Sequence, residues 1–197
     1  MSFKGTTKMT DRLIAVLPED ITKAYMYTCR MKDAVENNNF AVGIPLYEDY
    51  DFSVVLGVIR KAIKNNQDLR GDGEETPDYH KMKAGEPYML VFYDTAEGEL
   101  RGLLLFSLEV GTWFSSKPTR SVVEHFQLRF DKTRYSAGIC DTSVNFLKQL
   151  VKDGYADRAI GGGSTTYQEQ VKNTYVKAGY RMSYEFCYEK QYIHEEE

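Results

Sequence analysis

The residues Gly138-Ile139-Cys140-Asp141-Thr142 open a helical apolar pattern, and their chemistry is that of an anion cradle. A helix N-terminus leaves its first N–H groups without intrahelical partners and carries a partial positive charge. Such an end suits a diphosphate. A glycine there lets the backbone close on the phosphate oxygens. The alternative is an ordinary first turn with no ligand. Glu124 and His125 stand in an alternating segment, and a carboxylate or an imidazole can act as a general base. On a strand they face opposite sides. The bland readings are a carboxylate paired with a nearby Arg or Lys, and a hydrogen-bonded surface histidine. A helix start is expected to lower the thiol pKa of Cys140, but no histidine lies near it in sequence, so it is not read as a nucleophile. Gly161-Gly162-Gly163-Ser164 lacks the Lys-Ser/Thr of a phosphate loop and reads as a wide turn at a strand end.

The elements that must hold these residues follow from periodicity. Residues 12–17 (RLIAVL) read as a first strand, and Asp20 as a cap for a helix over 21–36. Ile21, Ala24, Tyr25 and Thr28 are its expected inner stripe. A second helix is expected over 52–65, with Val55, Val58, Ile59 and Ala62 on one side. Residues 67–85 are polar and read as a long loop. Residues 87–93 and 101–109 form a hairpin around the turn DTAEG. Residues 121–130 form a strand with Val122, Glu124, Phe126, Leu128 and Phe130 on one face. A helix over 138–152 presents Ile139, Ser143, Phe146, Leu147 and Leu150 inward. A short strand over 157–160, a helix over 167–177 closed by Gly179, and a last strand over 180–188 complete the chain. This order implies an α/β fold, a mixed central sheet of about six to seven strands flanked by about four helices. No linker separates two domains, so residues 1–197 read as one, with a first part over 1–85 and a core over 86–192.

Composition narrows the partners. The net charge of −4 gives no general attraction to phosphate backbones, so no nucleic acid is expected. The three cysteines form no CxxC pair, so no metal site is expected, and the spacing fits a reducing compartment. No apolar signal core and no run of about 18 apolar residues is present, so no membrane association is expected and the cytoplasm is the expected location. The chain holds 15 Tyr, each bringing apolar area and a hydroxyl that needs a partner.

Two segments carry a family resemblance. Tyr135-Ser136-Ala137-Gly138-Ile139-Cys140, with the helix behind it and Gly154-Tyr155, resembles the pyrophosphate-binding segment of the GNAT superfamily of acetyl-CoA-dependent N-acetyltransferases. Asn173-Thr174-Tyr175-Val176-Lys177-Ala178-Gly179-Tyr180 resembles the same family's helix-to-hairpin ending. The resemblance implies a single GNAT-like domain with acetyl-CoA as its cofactor. It implies backbone contacts to pantetheine from Leu128 to Phe130, and the cradle at Gly138, Ile139, Cys140, Asp141 and Thr142. It also implies Asn173 on the cofactor amide, Glu124 as base and Tyr175 as the acid for the departing thiolate. Three positions depart from the pattern. Tyr135 replaces the family's Arg/Gln, with Arg134 beside it; Cys140 replaces a Gly/Ala; and Asp141 sets a carboxylate near the diphosphate.

Two functional readings follow. The first is transfer of an acetyl group from acetyl-CoA to an amine, on a small molecule or a protein, by direct attack. The second is a GNAT-like protein that binds or builds rather than catalyses, such as a viral or phage accessory or virion component, with protein–protein assembly as its work. The departures at Tyr135, Cys140 and Asp141 support the second, and Glu124, Asn173 and Tyr175 support the first.

Overall fold

The apolar run Pro87–Asp94 (β3) turns through Gly98, at φ 68°, and returns as Leu100–Gly111 (β4), making the long hairpin at the centre of the sheet. Asp94 helps shape the turn by accepting from the Ala96 N–H at 2.9 Å. In the computed structural model the described residues are 6–8, 13–38, 50–70, 76–112, 116–131, 138–161 and 168–182. Thr6–Lys8 (β1), Leu13–Val16 (β2) and Thr119–Arg129 (β5) extend the hairpin by antiparallel pairing, in the order β1-β2-β3-β4-β5. Arg158–Ile160 (β6) closes the order, parallel to β5. A parallel neighbour needs a crossover, and the helix Ile139–Lys152 (α3) provides it. The helices Ala24–Asn38 (α1), Phe52–Leu69 (α2) and Gln168–Lys177 (α4) complete the described elements, with short 3-10 turns at Ile21–Lys23 and Tyr79–Lys81. The strand expected over 180–188 lies largely outside the described residues.

Strands covered on both faces are apolar at consecutive positions, and β4 is so. Leu103 and Leu105 join the core under α1 and α2, with Tyr27, Met31, Ile59 and Ile63. Leu104, Phe106 and Leu108 join the core under α3, with Val122, Ile139, Phe146, Leu147 and Leu150. Asn66 fastens α2 to the sheet from within. Its fully buried amide donates to the carbonyls of Pro18, at 3.1 Å, and Met89, at 2.9 Å.

Three expectations need correction. On α1, Ala24 and Thr28 are buried as expected, but Ile21 and Tyr25 are 46% and 61% exposed. Asp20 caps a 3-10 turn before the α-helix begins, so Ile21 is out of phase with the stripe, which runs through Ala24, Tyr27, Thr28, Met31 and Ala34. On α2, Val58 is exposed, and the helix continues past Asn65 through buried Asn66 and Leu69. Residues 67–85 are not a plain polar loop. Leu69, Tyr79 and Met82 are buried, and Tyr79 meets Phe146 and Tyr155 edge-on at 5.9 and 5.4 Å.

Candidate functional site

One extra residue in β5 sets the direction of Glu124. The register runs Val122↔Leu108, Val123↔Ser107 and Glu124↔Phe106, then resumes at Phe126↔Leu105. His125 is the residue left over, and the strand bulges there. Val122 and Glu124 therefore face α3 and α4, while Phe126, Leu128 and Phe130 face α1 and α2. The expectation that all five share a face fails because a bulge resets the alternation. His125 points away from Glu124, as expected, with its Nε2 2.8 Å from the Ser107 Oγ.

Tyr175 comes to Glu124 from α4. Its hydroxyl donates to Glu124 Oε2 at 2.6 Å, across 51 residues of sequence. The ring is 7% exposed and stands edge-on to Tyr180 at 5.2 Å. Tyr180 is held in turn by donating to the Val144 carbonyl at 3.0 Å. Burial, then the Glu124 carboxylate, pushes the Tyr175 hydroxyl far above its ordinary value. Tyr175 therefore keeps its proton at any physiological pH. Behind the ring is Gly161, where a Cβ would come within 2.7 Å of Tyr175 Cε1 and 2.8 Å of its hydroxyl oxygen.

The expected cradle is the start of α3, at Gly138, whose φ and ψ are −78° and −5° and which, as a glycine, gives no side-chain cap. The Thr142 N–H and hydroxyl both donate to the Gly138 carbonyl at 3.1 Å, so Thr142 serves the first helical turn. The N–H groups of Ile139, Cys140 and Asp141 are the donors this end can offer an anion. Exposed Asp141 in the first turn opposes an anion by charge. Gly102 on β4 seats the helix: a Cβ there would lie 2.3 Å from the Leu128 carbonyl oxygen and 2.8 Å from Ile139 Cδ1.

The described pairing of β5 with β6 ends at Val123↔Ile160. The Phe130 N–H donates to the Arg101 carbonyl at 2.8 Å, so Phe130 and, two residues back, Leu128 turn their backbone groups toward β4. Gln127 and Arg129 turn theirs away from β4, the direction that the resemblance gives to Leu128 and Phe130. The Leu128 side chain is buried in the α1–α2 core.

Cys140 is hydrogen-bonded with Gln127 and Thr174. Burial pushes its thiol pKa up, and Glu124 and Asp141 add to this, against the lowering expected of a helix start. Asn173 is exposed on α4, on the side away from Tyr175. Arg134 lies outside the described residues. The structure thus gathers Glu124, Tyr175 and Cys140 and leaves Asn173 apart. The sequence reading gave no site role to Gly102, Gly161, Gln127, Thr174 or Tyr180. Thr174 and Tyr180 stand in the segment that carries the family resemblance, and Gly161 in the glycine run that was read as a turn. Among the described residues no group of three His, Cys, Asp or Glu could hold a metal, and no helix is long and apolar enough to cross a membrane.

No protein-family model matches this chain, and no curated protein matches it by sequence. Solved structures match by fold. A possible acetyltransferase from Clostridium difficile 630 aligns with a TM-score of 0.56 at 10% identity, over 93% of this chain and 100% of that one. An acetyltransferase from Trypanosoma brucei aligns at 0.55 and 9% identity, over 91% and 99%. A transcriptional regulator from Bacillus halodurans C-125 aligns at 0.57 and 9% identity, also over 91% and 99%. The chain has the α/β fold of GNAT acetyltransferases, in one domain.

Proposed function

We propose that this chain is an acyltransferase that moves an acetyl group from acetyl-CoA to an amine. The hydrogen bond from Tyr175 to Glu124, beside the start of α3, is the observation that carries this reading. Acetyl-CoA, when bound, supplies an activated carbonyl and a thiolate leaving group. The N–H groups of Ile139, Cys140 and Asp141 at the start of α3 suit its diphosphate, and the backbone of Gln127 and Arg129, turned away from β4, suits an extended amide chain. Asp141 is the residue that fits least.

Glu124 takes the proton that the attacking amine must lose, directly or through a water. Tyr175 orients that carboxylate through its hydroxyl. With its pKa raised, Tyr175 gives a proton to a thiolate only as it takes one back from protonated Glu124. The pair then passes on the amine's proton and ends unchanged. Release of CoA from acetyl-CoA, followed across polyamines, aminoglycosides and lysine peptides, tests the reading. Turnover that falls about 100-fold or more in Glu124→Gln supports it. The absence of turnover with every amine class counts against it.

Two observations favour a second reading. Asp141 in the first turn of α3 and the Cys140 thiol packed against Gln127 and Thr174 both disfavour a bound diphosphate ester. In that reading the chain is a GNAT-like binding or structural protein. Failure to bind acetyl-CoA, together with recovery of an assembly partner, would support it.

A further inference from the structure

We propose that Gly161 is a positioning residue: its bare Cα at the end of β6 lets the Tyr175 ring lie across the strand and set its hydroxyl on Glu124. Its importance to chemistry rests on Glu124 and Tyr175 being the reacting pair proposed above; the positioning itself does not.

The register brings the three residues together. Ile160, the last residue of β6, pairs with Val123, so Gly161 and Glu124 are the next residues on neighbouring strands. Tyr175 reaches Glu124 from α4 by passing over that point. A methyl group on Gly161 would lie 2.7 Å from Cε1, 2.8 Å from the hydroxyl oxygen and 3.1 Å from Cζ of Tyr175. All three atoms belong to the far end of one side chain.

Among the described glycines, Gly85, Gly98, Gly154 and Gly179 have positive φ, and Gly161 is not one of them. An alanine could adopt the backbone of residue 161, but it could not share the space with the tyrosine ring. The ring has little room to yield elsewhere, because it is 7% exposed and backed by Tyr180. A side chain at 161 therefore moves the hydroxyl end of Tyr175 and leaves the strand in place. The Glu124 carboxylate then loses the donor that favours its charged form.

The test is Gly161→Ala beside Tyr175→Phe, with the Glu124 carboxyl carbon followed by NMR through a pH titration and assigned with Glu124→Gln. The expected result is a Glu124 midpoint raised by about one pKa unit in both variants, from loss of a hydrogen bond to a charged group. A folded Gly161→Ala protein with the wild-type midpoint overturns the proposal. If Gly161→Ala does not fold, the same substitution is made in Tyr175→Ala. Tolerance there supports the clash with Tyr175, and unfolding in both backgrounds overturns it. Neither readout needs turnover, so a wild-type chain without acetyl transfer would remove the proposed function and leave this result standing.

Discussion

Glu124 and Phe126 are separated by one residue of β5 yet face opposite sides of the sheet, the first toward Tyr175 and the second toward α1 and α2. The bulge at His125 makes this so. Deleting His125 removes the extra residue, so Glu124 and Phe126 become neighbours and ordinary alternation keeps them on these same opposite faces. The expected outcome is a folded protein that loses less than about 2 kcal/mol, measured by chemical denaturation. A loss of about 4 kcal/mol or more would refute the role given to the bulge.

That bulge also marks where reading the sequence stops working. Element order was legible because each helix and strand carries its own apolar period, and the start of α3 at Gly138 followed from it. Glu124 and Tyr175 were named from local pattern and resemblance, and they lie within a hydrogen bond of each other. A bulge has no side-chain signature, so the face of Phe126, Leu128 and Phe130 was misread. Ile21 and Tyr25 were misread because a capped 3-10 turn shifts the phase of the helix after it. Gly161 was read as turn chemistry, because what it makes room for comes from α4, far along the chain.

Buried tyrosines should make the protein sensitive to alkali. Burial, the largest cause, raises Tyr175, Tyr27 and Tyr180 above the ordinary 10.0, and raises Tyr50 to about 12. A raised folded-state pKa gives stability that is fully present below the unfolded-state value and is lost as pH rises above it. Stability should thus hold to about pH 10 and fall beyond it. Urea denaturation between about pH 8 and 12 checks this, and Tyr175→Phe should show a shallower decline. An identical slope in that variant would mean Tyr175 does not hold its proton more tightly when folded.

Arg101 gathers carboxylates at the β3–β4 turn. Its side chain, 7% exposed, meets Asp94 at 3.3 Å, Glu99 at 2.8 Å and Asp131 at 2.9 Å, and also pairs with Glu97. Asp94 is fully buried. Replacing Arg101 with Met leaves this cluster without its guanidinium and should cost about 3–5 kcal/mol. The denaturant midpoint reads the loss directly. A change under about 1 kcal/mol would mean that solvent screens the cluster as it does surface pairs.

Gly102 should tolerate no side chain. The Leu128 carbonyl at 2.3 Å from a Cβ is backbone and cannot turn aside. Gly102→Ala should destabilise by about 1–3 kcal/mol and shift the start of α3 away from β4. Amide exchange at Ile139 and Cys140 would report that shift, and unchanged protection with unchanged stability would contradict it.

Calorimetric titration with acetyl-CoA, run on the wild type and on Asp141→Ser, tests the acyltransferase reading most directly. The expected result is micromolar binding by the wild type, tightened about two- to fivefold when the opposing carboxylate at the start of α3 is removed. No binding heat from either protein, with acetyl-CoA or with CoA, would contradict the proposed function.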